Sequence, residues 1–395
     1  MALHPRSPRT LTAVAIGALF GVNGFLYASW VPRLIEIRRD LEMTDTVLGF
    51  TLLGAGIGGL LMSLGSGVII NRFGSRTIGI ASALALAAVI PVIPWAPTPL
   101  VLFSVMLLFG ATDGLTDVAA NAQAINFQAS SLKSVLTRMH AVWSIGALTG
   151  GLIATWTAAI GIAFRVQMLT VAVASVAIII WLSRHLLPND PPVIEHLDHN
   201  GERRRLPRLL LAGMFGAGVL AILAEMPPTE WGTLLMTERF DVSIGVAGLG
   251  FVAFSAGMVV ARLLGDLAVD RLGPEPFRRL SAAVSFFGVL ATVFGPVAEV
   301  ALLGLFITGL GTAALFPLAI RRAGELVSGA VGIAMFSSGA RAGILLGPVM
   351  MGVLSDQTSR ATALLVVAGG ATAAMALIRL PEPRVPQPAA ERTPV

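Results

Sequence analysis

VLGFTLLGAGIGGLLMSLGSGVIINRFG, residues 47–74, and VAGLGFVAFSAGMVVARLLGDLAVDRLG, residues 246–273, are two versions of one pattern at an offset of 199. Gly49 meets Gly248, Gly58 meets Gly257, Asn71 meets Asp270, Arg72 meets Arg271 and Gly74 meets Gly273. Each version is a long, Gly-rich apolar run that ends in a basic turn. A helix of roughly 20 apolar residues is long enough to cross a bilayer. Self-similarity at a fixed offset marks a chain assembled from repeated units. Parallel repeats of membrane helices are a transporter design, in which two halves face a central site.

The rest of the chain has the same character. Across 395 residues the mean hydropathy is +0.82, with 55% hydrophobic and 12% charged residues. A soluble protein carries about twice that charge. Membrane β-strands would show short segments of alternating polarity, and that pattern is missing. About twelve runs have spanning length, near 11–32, 46–70, 77–96, 100–126, 138–160, 163–183, 208–231, 243–268, 278–297, 299–320, 330–354 and 361–380. The expected fold is an all-α polytopic membrane protein, its twelve transmembrane helices in two pseudo-symmetric six-helix bundles. The expected divisions are a first bundle at 1–183, a linker at 184–207, a second bundle at 208–380 and a disordered tail at 381–395.

Loop charges predict orientation. Nineteen basic residues, from Arg6 and Arg9 to Arg384 and Arg392, fall on one side of the predicted spans, and six fall on the other. The six are Arg33, Arg38, Arg39, Arg165, Arg239 and Arg360, most of them near acids. The basic side is the cytoplasmic one, so both termini and the linker are expected there. The +5 net charge follows from these loops, and nucleic acid is rejected as a partner. The apolar run that begins the chain is too long for a signal peptide and reads as a retained first helix. With no cysteine, disulfides and thiolate metal sites are excluded. The linker collects Glu195, His196, Asp198 and His199. Polar linkers gather such residues by composition, and no metal site is assigned. No P-loop or other cofactor motif occurs, so cofactors and enzymatic activity are not expected.

Polar residues inside the spans mark the candidate site, because an ionisable group there is costly and by default functional. GATDGLTDVAANAQAIN, residues 110–126, places Asp113, Asp117 and Asn121 at i, i+4 and i+8, one face of a helix. Their counterparts at the repeat offset are Thr312, Phe316 and Ile320, so the stripe belongs to the first half alone. Carboxyl groups in such a setting exchange protons in the physiological range, as coupling to a proton gradient requires. Arg341 sits midway through the eleventh span and needs a wet cavity or a partner among Asp113, Asp117, Glu225 and an anionic substrate group. Glu225 precedes Pro227 and Pro228, which are expected to break the seventh span beside the site. Glu230 is placed at the outer surface. Asn23 and Tyr27 lie i, i+4 on the first span and are candidates for the same wall. His140 titrates in a useful range, whereas Trp143 reads as packing. Gly339, Gly343 and Gly347 form a small-residue packing stripe.

The loop Gly67-x3-Asn71-Arg72-Phe73-Gly74-Ser75-Arg76, with Asp270-Arg271-Leu272-Gly273 as its partner, resembles the signature loop of the major facilitator superfamily. The resemblance implies that Asn71, Arg72, Asp270 and Arg271 are gating-loop residues that latch the bundles, although Asn71 departs from the usual Asp. WVPRLIEIRRDL (30–41), DGLTDVAANAQA (113–124), HAVWSIGALTGG (140–151), EMPPTEWG (225–232), ARLLGDLAVDRLG (261–273) and LLGPVMMG (345–352) together resemble the MosC-like and YbjJ-like subfamily. This implies a secondary transporter of the bacterial inner membrane that moves a small-molecule substrate, a cyclitol or sugar-like solute; the intramembrane position of Asp113, Asp117 and Glu225 points to protons as the coupling ion, and a monomer is expected. A drug-efflux antiporter is the nearest alternative, and a non-transporting sensor on the same scaffold is the alternative of another class.

Overall fold

The computed structural model of the chain describes residues 8–129, 136–189, 208–326 and 330–378. Linker residues Glu195, His196, Asp198 and His199 and the tail at 381–395 lie outside the described residues. The described residues form helices and connecting turns, with no strand among them.

Among the described residues, twelve helices are long and apolar enough to cross a membrane. In order they are α1 (Pro8–Ala28), α2 (Asp45–Phe73), α3 (Ser75–Trp95), α4 (Pro99–Ala129), α5 (Leu136–Ala159) and α6 (Phe164–Ser183). Then follow α7 (Arg208–Phe240), α8 (Ile244–Leu272), α9 (Pro274–Phe294), α10 (Ala298–Leu326), α11 (Ala330–Gln357) and α12 (Arg360–Leu377). Leu100, Val173, Phe287 and Leu303 are exposed on their outer faces, which lipid tolerates and water does not.

The sequence repeat is a structural repeat at both ends. Thr44 caps α2 by accepting from the Val47 N–H, and Ser243 caps α8 by accepting from the Val246 N–H, again 199 residues on. Such caps satisfy one of the donors a helix start leaves free. Just before each cap, Glu42 and Asp241 both adopt φ 48°. The exits match as well. Gly74 and Gly273 take φ 82° and 79°, a region open to glycine at no steric cost.

Three expectations about the helices change. α7 does not break at Pro227 and Pro228 but runs unbroken for 33 residues. The hydroxyl of Thr229 donates to the Glu225 carbonyl at 2.7 Å within the same turn, and neighbouring helices support the segment, as they do for proline inside membrane helices. α10 is divided instead, into Ala298–Thr312 and Leu315–Leu326. The turn falls beside Thr312, the repeat counterpart of Asp113. Thr312 is buried and shares a 2.7 Å hydrogen bond with Ser285. The first α-helix also ends earlier than expected, at Ala28. It gives way to a 3₁₀ turn (Val31–Arg33) and a short helix, Leu34–Asp40.

Glycines let the helices approach closely. Cβ atoms at Gly54, Gly58 and Gly110 would collide with the facing backbones of α2 and α4, and at Gly257 and Gly309 with those of α8 and α10. Gly24 and Gly146 join α1 to α5, and Gly218 and Gly339 join α7 to α11. The second six helices thus repeat the pairings of the first. A Gly58→Val substitution is expected to cost about 1–3 kcal/mol by overpacking, read as a lowered melting temperature in detergent, because Leu107's carbonyl is fixed backbone that cannot retreat.

Two seams join the first six helices to the second. α2 meets α11 where Gly49 and Gly56 pack on Pro348 and Ile344. α5 meets α8 where Gly151 touches Phe251 and Gly245 touches Ala159. Both seams are tight at the end that carries Asp45 and Ala159. There Arg360 holds Asp45 with two bonds, Nε to Oδ2 at 2.7 Å and Nη2 to Oδ1 at 2.8 Å. Asp356 accepts from the backbone N–H groups of Asp45 and Thr46 at 3.0 and 2.8 Å, and so caps α2 from the other half. At the opposite end Gly67 and Gly265 meet no neighbouring atom, and Asn71, Arg72, Asp270 and Arg271 are exposed. The cavity between the halves is therefore sealed at the Asp45 end and open at the end of the basic loops.

Candidate functional site

A cavity of about 380 Å³ lies between α1, α2 and α4 on one side and α7 and α11 on the other. Its wall is largely apolar, with Trp30, Phe109, Ile222, Met226, Ile344 and Pro348. Into it come Tyr27, Asp113, Asp117, Glu225, Glu230 and Arg341. A mostly apolar lining with a few convergent polar groups is the usual form of a small-molecule site.

The i, i+4 logic of α4 holds for its two acids, and each has a dedicated partner. Asn23 donates from Nδ2 to Asp113 at 2.8 Å, and its Oδ1 accepts from Trp143 Nε1 at 2.8 Å. Indole nitrogen only donates, so the order Trp143 to Asn23 to Asp113 fixes which way the amide faces. Trp143 thus positions the site as well as packing on Tyr27 at 5.9 Å between ring centroids. Asn121 donates to the Asp117 carboxyl at 3.0 Å and to its carbonyl at 2.8 Å. Asn23 and Asn121 therefore stand behind the acids and do not line the cavity themselves.

Glu225 reaches the cavity from α7, and its cationic neighbour is Arg262 of α8, 4.0 Å away. The Arg262 guanidinium also bonds the hydroxyl of Ser144 on α5, in the other half. Arg341 lines the cavity as expected, but among the described residues no acid lies within ion-pair distance of it; the expected protein partners Asp113, Asp117 and Glu225 are engaged elsewhere. Glu230 contradicts its expected place at the outer surface. With α7 unbroken, it stays on the inward face, 6% exposed and lining the cavity. His140 packs edge-on against Phe20, 5.3 Å between centroids, and is not part of the lining.

The expected latch through Asn71, Arg72, Asp270 and Arg271 is not engaged. No ion pair involves them among the described residues, and Arg72 instead stacks over Phe73 at 5.3 Å. Besides the Arg262–Ser144 bond, the charged contacts that cross between the halves among the described residues sit at the other end, where Arg360 pairs with Asp45 and Asp356 accepts from the Asp45 and Thr46 N–H groups. Those residues read as loop acids and an outer-loop arginine in the sequence, because nothing local shows that they meet.

A membrane protein whose described residues form twelve spanning helices, built from a repeat with a largely apolar cavity and a few convergent polar groups between its halves, is a solute transporter in architecture. The chain belongs to the Major Facilitator Superfamily, whose family model matches residues 10–234 and 230–394. It is 28% identical over 389 residues to the membrane protein MosC of Rhizobium meliloti, a match that covers 98% of this chain and 94% of that protein. Among solved structures it resembles the nucleoside transporter NupG, with a TM-score of 0.74, 16% identity and coverage of 93% and 100% of the two chains. It also resembles a D-xylose-proton symporter, with a TM-score of 0.69, 16% identity and coverage of 93% and 96%.

Proposed function

We propose that this transporter carries a small polar solute, of cyclitol or sugar type, across the bacterial inner membrane by alternating access, and that protons drive it. The observation that carries this reading is the convergence of Asp113, Asp117, Glu225 and Arg341, from both halves, on one cavity sealed at one end. Halves 1–183 and 208–380 would rock about that cavity while 184–207 tethers them, in a protein that works as a monomer. By the charge asymmetry of the loops, the open end faces the cytoplasm. That a protein of the same fold is a D-xylose-proton symporter lends support to a sugar-like solute and to proton coupling.

Asp113 and Asp117 are the proton carriers in this reading, and Glu225 is a third. Each is held by a group that tolerates a change of charge: an amide for the first two, and for Glu225 an arginine with a second bond to keep it satisfied. The drug-efflux alternative calls for an aromatic, Met-lined cavity with few fixed charges. Tyr27, Trp30, Phe109 and Met226 fit that description, but five ionisable groups, Asp113, Asp117, Glu225, Glu230 and Arg341, share the space and favour a polar solute. A thermal-shift screen of cyclitols, sugars and drugs on the wild type and on Arg341→Ala tests the reading. A cyclitol or sugar should raise the melting temperature of the wild type and do so less in the variant. Stabilisation by drugs alone, undiminished in the variant, would favour efflux.

A further inference from the structure

Pairing off the polar groups of the cavity leaves a remainder. Asp113 has Asn23, Asp117 has Asn121, and Glu225 has Arg262. Ser63 donates to the Leu60 carbonyl at 2.9 Å. Four groups of the lining make no hydrogen bond or ion pair with any described residue: the Tyr27 hydroxyl, the Glu230 carboxyl, the Arg341 guanidinium and the Trp30 indole N–H, and only the first three differ enough in hydrogen-bonding chemistry to discriminate between solutes. Buried polar groups are almost always satisfied, and an unpaired buried charge is especially costly. Glu230 is buried at 6% exposure, while Tyr27 and Arg341 are half-buried and face the cavity, so all three are free to pair with a solute that enters it.

We propose that Glu230, Arg341 and Tyr27 form the solute-holding set, with Glu230 the residue that selects for hydroxyl groups. This rests on the reading of the cavity as a transport site and names the chemistry it recognises. A carboxylate only accepts, a guanidinium only donates, and a phenol does both. A simple amine would satisfy Glu230 and leave Arg341 unpaired; a simple anion would do the reverse. A ring bearing several hydroxyls satisfies all three, since each hydroxyl both donates and accepts. Its apolar C–H faces also match the lining between these groups, where Trp30 and Phe109 meet edge to face at 5.7 Å and Tyr27 lies 6.2 Å from Phe109. Tyr27 stands on α1 while Glu230 and Arg341 stand on α7 and α11. A bound polyol therefore bridges the two halves, which is how a solute gains influence over their movement.

Binding of myo-inositol, D-xylose, ethylammonium, acetate and β-alanine to the detergent-purified full chain tests this, using wild type, Glu230→Gln, Glu230→Asp and Tyr27→Phe. At least one of the two polyols should bind the wild type, with no measurable binding of ethylammonium or acetate. Glu230→Gln should weaken that Kd at least tenfold, with Glu230→Asp and Tyr27→Phe in between. The melting temperature of ligand-free Glu230→Gln should be unchanged, because the carboxyl makes no bond to a described residue that the amide would lose, whereas a carboxyl that holds the fold together would lower it. An unchanged polyol Kd in Glu230→Gln, with the wild type binding, overturns the role of Glu230 and leaves the transport reading intact. Tighter binding of β-alanine than of either polyol overturns the hydroxyl chemistry. Failure of both polyols to bind the wild type overturns the sugar-like substrate class and this proposal with it.

Discussion

Replacing Arg360 with alanine is expected to open the sealed end of the cavity and to raise its accessibility from that side at least tenfold. Arg360 and Asp45 are bonded at 2.7 and 2.8 Å, with side chains only 8% and 6% exposed, and they belong to different halves. Breaking a buried pair costs on the order of 3–5 kcal/mol where the other charge is left stranded, and less where a second partner remains. That cost falls on the state in which the pair is formed, so the population moves toward the state in which it is not. Arg360 also bonds the Leu234 carbonyl at 3.1 Å and approaches Glu238 at 3.2 Å, so its removal loosens α7 as well. Asp45 is not stranded, because Arg38 of its own half remains 2.6 Å away. The chain contains no cysteine, so a single Ala55→Cys substitution gives a unique reporter on the cavity wall. Its labelling by a membrane-impermeant thiol reagent should be slow from the sealed side in the parent and fast in the Arg360→Ala background. Asp45→Ala should act in the same direction, and the double variant should add little, since both remove one interaction. Equal labelling rates in all four backgrounds would show that this contact does not hold the end closed.

Asp113→Asn is expected to abolish solute accumulation against a gradient, by about 100-fold or more, while solute exchange across the membrane persists. The substitution keeps the size of the side chain and its hydrogen bond with Asn23, which donates at 2.8 Å. It removes only the capacity to take up and release a proton. A transporter locked in the neutral form can still turn with solute bound, so exchange is preserved, but the gradient no longer does work on it. Accumulation in the variant should also become insensitive to external pH. The same loss of both accumulation and exchange would point to a structural role, and retention of both would remove Asp113 from the coupling step.

The helices, the repeat and most of the cavity acids are legible in the sequence because each is a local signal. Apolar runs give spans, and an offset of 199 gives two copies whose caps and exits match to the residue, from Thr44 and Ser243 to Gly74 and Gly273. A charge inside an apolar run stands out for the same reason, which is how Asp113, Asp117, Glu225 and Arg341 are found. Partners that come from distant sequence are not legible. Nothing near Asp45 announces Arg360, more than three hundred residues away, or the capping carboxylate of Asp356. Arg262 is missed although it is, like Arg341, a basic residue inside a span. Its pattern merges into the signature of the α8 loop. Glu230 is misplaced because Pro227 and Pro228 suggest a break, and only packing against neighbours keeps α7 straight enough to turn it inward.

Proton movement measured inside sealed proteoliposomes tests the transport mechanism most directly. With a pH-sensitive dye trapped in the lumen and no imposed gradient, addition of the polyol that most stabilises the protein should shift the lumenal pH with the wild type. The shift should vanish with Asp113→Asn and fall with Glu230→Gln in proportion to lost solute flux. Flux of that solute with no pH change in wild-type vesicles, and at the same rate in Asp113→Asn, would contradict coupling through the cavity acids.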